Sequence, residues 1–546
     1  MPVLPHVPRA QWHFRYFQLL LLGLLSLIAT ARAFQHIDSY NLPAGVFNYS
    51  ETFSVLVNNE ELVEVVSFYD YDYVHFSLAD ASQTSKISIF LLQDVSNVTI
   101  SPRKLNISAT TDGGLVWFDI DGPQYLIVKI DDLKELVILI DPPEQYVPSK
   151  ETESVFNVTD YGADSSGVQI ATDAFQSAIA DVENVGGGVV FVPPGVYTVG
   201  NIKLPSHAKL YLEAGSVLQF SNDVEIYEAF TVKRNEFTSA LDRNLTWWIY
   251  TEFDSENVGI YGRGTINGRA NYILESNTFE ANLIVPIKTS NFVFDGPLLR
   301  ESGSWAFIPT MSKNVTISNV KILNSLKMQE NDGIDVMHSD NVVVNNGFVA
   351  SGDDSYSLKT WIKSTDIAKS WPDDFVPNTN IVFSNTIAWT GCIGWKVGYG
   401  NYYGLDNFTV LDSTLYQGAI GLGIDSKEAR ASATIQNVNY KNIFIESIVV
   451  GHDLYFSSWL SLVTRVDRTP GVSSGAANII DVLVENVTIL DFGGKDAFIY
   501  GYNGTSQISN VTLINIIVPG SDTPIDKLSQ ALVTKVQFAE NVVVIQ

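Results

Sequence analysis

From Phe34 to about Pro143, short apolar runs alternate with polar turns: FSVLV, LVEVVSFY, YVHFSL, ISIFLL, VTISP, LVWFDI, YLIVKI and LVILI. Side chains that change face at every residue belong on strands, so the pattern predicts eight short strands in an antiparallel β-sandwich over 34–143. Three prolines within Pro142–Pro148 cannot sit in a central strand, and 144–154 reads as a linker. Beyond it the texture changes. Thr172–Asn184 (TDAFQSAIADVEN) has helical spacing, and short strands opening on Asn then recur at 257, 291, 314, 341, 380, 407, 437, 486 and 510. Most steps are 23 to 30 residues, with polar insertions in the longer ones. Val/Ile pairs facing one way, with Asn at each turn, predict stacked coils. The expected fold is all-β: a right-handed parallel β-helix over 155–546 preceded by an N-terminal β-sandwich, with the 172–184 helix capping the first coil.

Met1–Ala33 differs from both bodies. Arg9 and Arg15, an apolar run from Phe17 to Ile28, and Ala31-Arg32-Ala33 read as a cleaved secretory signal. The apolar run is about 12 residues where a membrane span needs about 20, so no membrane anchor is expected after cleavage. Ten N-x-[ST] sequons follow, at Asn48, Asn97, Asn106, Asn157, Asn244, Asn314, Asn407, Asn486, Asn503 and Asn510, which fit an extracellular glycoprotein. N-V-T also suits a strand edge. The formal charge of -27 opposes binding to nucleic acid or anionic membranes. The lone Cys392 excludes a disulfide framework and reads as a small buried apolar residue. No metal or cofactor is expected, and the chain reads as a monomer.

The candidate chemistry is acidic. Glu330-Asn331-Asp332-Gly333-Ile334-Asp335 and Gly352-Asp353-Asp354-Ser355-Tyr356-Ser357-Leu358-Lys359 place Asp332 and Asp353 21 residues apart, about one coil. A coil returns the chain about 4.8 Å away, so their carboxylates share a face and their titrations interact. One carboxyl holding a proton while another stays ionised is what glycosidic cleavage needs. Either motif alone is equally well explained as a turn; together they favour an active site.

Several motifs here resemble the polygalacturonase-type glycoside hydrolases of family 28: VTDYGADSSG at 158, GGGVVFVPPGVYTVG at 186, GRGTING at 262, NDGID at 331 and GDDSYSLK at 352. The resemblance implies Asp353 as general acid, Asp332 and Asp354 as the pair that activates water, and inversion at the anomeric centre. Two departures stand out. The family's histidine falls on Ile393, and its basic clamp for a uronate carboxylate falls near Gly423-Ile424-Asp425. An acid at that place would repel a uronate. A sandwich before the β-helix also resembles family 49 dextranase and isopullulanase, as do TDGGLVWFDI and YLEAGSVLQF.

The reading is therefore a secreted inverting glycoside hydrolase on an α-linked polysaccharide, with a neutral glucan expected and a polygalacturonase acting on pectin as the alternative. A polysaccharide lyase needs an Arg or Lys base, and no Arg lies beside the acids in sequence. A non-catalytic glycan-binding β-helix is the remaining class. Trp305, Trp361, Trp395 and Tyr399 are candidate sugar platforms, and Asp335, Lys359 and Lys396 candidate polar contacts. Trp371, Tyr402 and Tyr403 lie in the same stretch. His338 reads as a surface turn residue. The sandwich reads as a spacer or a carbohydrate-contacting module.

Overall fold

A computed structural model describes residues 37–80, 82–233, 243–271, 279–372, 375–451, 457–466 and 475–546. The signal reading of Met1–Ala33 lies outside them. Among the described residues no helix is long and apolar enough to cross a membrane.

The N-terminal body is a sandwich of two sheets. One contains Ile37–Ser39, Tyr71–Leu78, Glu135–Asp141, Tyr125–Ile130 and Val98–Ser101, with Val66–Ser67 at its side. The other contains Glu61–Val63, Ser54–Val57, Thr84–Phe90, Leu115–Asp121 and Thr110–Asp112. The predicted runs all lie on strands; Ile37–Ser39 and Thr110–Asp112 are additions too short to show a period. One pairing departs from the antiparallel expectation: Glu135–Asp141 lies parallel to Tyr71–Leu78. That strand is buried on both faces. Leu136, Ile138 and Ile140 enter the sandwich core, whereas Val137 and Leu139 pack with Tyr71 and Tyr73 against Leu323, Phe348 and Trp389 of the second body. Burial on both sides explains the uninterrupted LVILI.

The second body is a parallel β-helix. Its coils pair a long strand with a short one: Lys313–Leu323 with Ile334–Met337, Asp340–Ser351 with Tyr356–Thr360, and Asn378–Thr390 with Ile393–Asn401. Register holds from coil to coil, with Val315, Val342 and Ile381 in one row and Ile317, Val344 and Phe383 in the next, all facing the core. The helix Thr172–Asn184 buries Ala174, Phe175, Ala178, Ile179 and Val182 over the first coils, as its spacing predicts. The recurrent asparagines turn the corners. Asn291, Asn314, Asn341, Asn380 and Asn407 have φ from 56° to 60°, the left-handed region Asn tolerates best after Gly. Their amides stack into a ladder: Asn314 donates to Asn291 (3.0 Å), Asn341 to Asn314 (2.8 Å) and Asn407 to Asn380 (2.8 Å). A second ladder links Asn515, Asn486 and Asn442. The sequons at Asn314, Asn407, Asn486 and Asn510 are thus also ladder positions, so their recurrence has an architectural cause.

The linker does not hang free. Tyr146 packs on Tyr261 (4.8 Å between centroids), and Glu144 accepts from Tyr211 Oη (3.0 Å). An ionic tie also joins the bodies. Asp141, at the end of its sandwich strand, is fully buried and meets Lys321 of the solenoid. Arg263 Nε lies 3.2 Å from Asp141 Oδ2, Tyr125 Oη donates to Oδ1 (2.6 Å), and His75 Nε2 is 2.8 Å from Oδ2. Burial pushes the Asp141 carboxyl up, but Lys321 and Arg263 outweigh it and hold the group well below the usual carboxylate range. Removing one partner of such a pair leaves an uncompensated buried charge, at a cost of about 3–5 kcal/mol. Asp141→Asn is expected to lower stability by about that amount, read as a fall in urea midpoint at pH 7. A loss below about 1 kcal/mol, the scale of an exposed pair, would show that the joint does not depend on this charge.

Candidate active site

The acidic motifs occupy two consecutive turns that lead into the short strands. Ile334 pairs with Tyr356 and Asp335 with Ser357, a coil of 22 residues. Asp332 therefore aligns with Asp354, and Gly333 N donates to Asp354 O (2.9 Å) across the coils. Asp353 sits one residue earlier, half-buried where Asp332 and Asp354 are buried. The turns fit tightly. A Cβ on Gly352 would come within 1.9 Å of Met328 O, so only glycine passes there. Asn331 Oδ1 accepts from Gly352 N (2.8 Å) and Asp353 N (3.2 Å), and its amide donates to Ser325 O (2.8 Å). The Asp353 carboxylate accepts from Glu330 N (3.1 Å) and Asp354 N (2.9 Å).

Two lysines lie beneath the carboxylates. Lys359 Nζ is 2.7 Å from both Asp332 Oδ2 and Asp335 Oδ1, and 4.0 Å from the Trp305 ring centroid. Lys396 Nζ is 2.6 Å from Asp354 Oδ2 and 3.9 Å from the Tyr399 ring centroid. The second oxygens, Asp332 Oδ1 and Asp354 Oδ1, are buried without a hydrogen-bond partner. Burial raises the pKa of Asp332 and Asp354, and the nearby carboxylates add to it; Lys359 and Lys396 only partly offset this. Asp332 and Asp354 influence one another's titration, so one can hold a proton while the other stays charged.

Several predicted contacts take other roles. Asp335, Lys359 and Lys396 are buried and engaged with one another or with the carboxylates; they position the acids and do not face a sugar. Trp395 points inward, stacked with Tyr356 and donating to Thr386 Oγ1 (3.1 Å), because alternation along Ile393–Asn401 turns Lys396 out and Trp395 in. Trp305 and Trp361 belong to an aromatic cluster with Trp247 and Trp371 on the outer face of the sheet. Cys392 is half-buried at the site's rim, its sulfur within 4.8 Å of oxygens of Asp353 and Asp354, and burial pushes its thiol up. Tyr399 stays at the groove.

His338 is not a surface residue. It is buried, Nε2 accepts from Trp361 N (2.9 Å), and Nδ1 donates to Val376 O (2.7 Å), so the ring is neutral. Its pKa falls to about 4 through burial.

Beside Asp353 and Asp354 opens a cavity of about 410 Å³ lined by Cys392, Tyr399, Asp425, Arg465, Tyr500 and Lys535 among others. Arg465 grips Asp425 with Nε to Oδ1 (2.9 Å) and Nη2 to Oδ2 (2.6 Å). Lys427 Nζ lies 3.8 Å from the Tyr399 ring centroid. Sequence reasoning missed Arg465 and Lys535, which reach this cavity from later coils; only coil-by-coil register (Asp425 to Val463, Phe498 to Lys535) brings them in.

The His338 arrangement predicts a pH effect. Its folded pKa lies below the ordinary 6.5, so between about pH 6.5 and 4 the unfolded chain takes a proton that the folded chain does not. Stability from this group is full above that window and is lost as pH falls through it, by about 1.4 kcal/mol per unit. The stability gap between wild type and His338→Gln should therefore shrink as urea midpoints are taken at pH 7, 5.5 and 4.5. A constant gap would show that His338 titrates normally.

Comparison with known proteins fits this geometry. The model for glycosyl hydrolases family 28 matches residues 190–524. A probable exopolygalacturonase X of Aspergillus fumigatus is 26% identical over 292 residues, 48% of this chain and 62% of that protein. The chain thus spans less than two thirds of that relative's length. An exopolygalacturonase of Cochliobolus carbonum is 24% identical over 377 residues, covering 63% of this chain and 76% of its own. Among solved structures, an exopolygalacturonase from Thermotoga maritima superposes with TM-score 0.53 at 19% identity over 69% of this chain and 94% of its own. The polygalacturonase from Erwinia carotovora gives 0.52 at 19% identity over 72% and 100%. These two share the parallel β-helix. With a family model that matches more than half of its length, the chain belongs to glycosyl hydrolases family 28.

Proposed function

We propose that this protein is an inverting glycoside hydrolase that cleaves galacturonan chains of pectin outside the cell. The observation that carries the reading is the carboxylate set. Asp332 and Asp354 stand in register, each with one oxygen held by a lysine, and are taken as the pair that activates water. Asp353, more exposed and next to the cavity, is placed to protonate the leaving oxygen. Inversion at the anomeric centre is what the resemblance to family 28 implies for this set.

The substrate follows from the charge of the cavity and not from that of the chain. The expectation of a neutral glucan rested on Asp425 repelling a uronate. Arg465 neutralises that acid with two parallel hydrogen bonds, and Lys535 and Lys427 add positive charge around Tyr399. Exposed charges elsewhere on an acidic surface are screened over about 8–10 Å. The neutral-glucan reading therefore loses its physical basis, and the named relatives are exopolygalacturonases. The likeness of the sandwich to family 49 enzymes gains no support from them.

Reducing-end release on polygalacturonate, dextran and pullulan tests the assignment. Activity is expected on polygalacturonate alone, and Asp353→Asn should lower it by roughly 10²–10⁴-fold or more with folding retained. Activity on a glucan but not on polygalacturonate would overturn the uronate reading, and a fully active Asp353→Asn would overturn the mechanism. Lys535→Met, which removes a cation without uncovering a buried acid, should raise KM for polygalacturonate about tenfold, one charged hydrogen bond's worth, with kcat changed much less. An unchanged KM would remove Lys535 from substrate binding.

A further inference from the structure

A second cavity, of about 590 Å³, lies between the sandwich and the solenoid and shares no lining residue with the catalytic one. Its floor comes from the solenoid. Gln219, Asn267 and Arg300 occupy one register position in three successive coils, Gln219 paired with Asn267 and Asn267 with Arg300. Neighbouring strands are about 4.8 Å apart, so these groups form a polar row parallel to the solenoid axis. The sandwich provides the opposite wall with Phe47, Phe68 and Tyr69, and Tyr69 is 55% exposed.

Two arginines line the cavity. Arg300 is buried, with its guanidinium 4.0 Å from the Phe47 ring centroid and 4.8 Å from that of Phe68. It donates to Tyr73 Oη (2.9 Å) and Glu301 Oε1 (2.7 Å), so Glu301 balances it. Arg269 adds a second, half-buried cation in the lining and donates to Phe220 O (3.2 Å). A guanidinium in the lining, amides in a row and an exposed ring suit a sugar: stacking for the ring, amides for hydroxyls, guanidinium for a carboxylate. The sandwich loop ties this cavity to the active site, since Asp70, next to Tyr69, accepts from Ser325 Oγ (3.1 Å) and Leu326 N (2.9 Å) in the segment before Asp332.

We propose that this cavity is a second, non-catalytic saccharide site, completed only when sandwich and solenoid meet, that takes a short oligosaccharide of acidic sugars. The choice of acidic sugar rests on the uronate reading of the catalytic cavity; the site itself rests on the geometry above. Asn48 of an N-Y-S sequon lines the cavity, so the test uses an Asn48→Gln background in which no attached glycan can fill it.

Trigalacturonate is titrated calorimetrically into Asp353→Asn protein, with and without Tyr69→Ala and Arg269→Gln, each variant checked for an unchanged circular dichroism spectrum. Two binding events are expected, one of them weakened at least about tenfold by either substitution while the other persists. A single event insensitive to both substitutions would overturn the second site and leave the catalytic reading standing. A single event lost in both variants would support the second site and count against uronate binding at the catalytic cavity. No binding at all would overturn the site.

Discussion

Everything in the solenoid depends on parallel strands lying in register from one coil to the next. That constraint sets the period of the sequence, builds the core by stacking like residues on like, and obliges the backbone to turn at the same place every coil. Asparagine meets the last demand twice: it accepts the left-handed corner, and its amide bonds to the asparagine one coil below. The same register makes the active site. Asp332 and Asp354 face together because the two turns are 22 residues apart in a coil of that length. Each lysine reaches its acid from the short strand one coil on, Lys359 from Tyr356–Thr360 to Asp332 and Lys396 from Ile393–Asn401 to Asp354.

The electrostatics of the site are local. A chain with a formal charge of -27 still sets a few cations beside these carboxylates. Lys359 and Lys396 lie under the acids, Arg465 and Lys535 line the neighbouring cavity, and Lys427 lies over the ring of Tyr399. Whole-chain charge governs encounter and solubility, whereas a buried site responds to groups within a few ångströms. The acid at 425 looks repulsive in a linear reading; its partner stands 40 positions later and becomes visible only once coils are stacked.

Much of the fold was legible because it repeats. The Asn-initiated strands, the capping helix and the sandwich runs each carry a period, and a period survives without knowledge of neighbours. The acidic turns were legible for the same reason, being one coil apart. What failed was orientation at single residues. Trp395 and Lys396 are adjacent and equally suited to a groove, yet one faces the core and the other the acids, and a shift of one residue in strand phase would exchange them. His338 is covered by Trp361, Trp371, Phe375 and Val376, whose packing on it no local pattern announces. The parallel strand Glu135–Asp141 was invisible as such, since an apolar run buried on both sides has no alternation to read.

The buried meeting of Asp141 with Lys321 and Arg263 also bears on inheritance. The sandwich supplies the acid, and the solenoid supplies the bases. Recombination at the linker would bring a foreign sandwich without the matching carboxylate, leaving two cations sealed in an apolar joint. The two bodies, which look like separable modules along the chain, are therefore interchangeable only with partners that carry the matching charge.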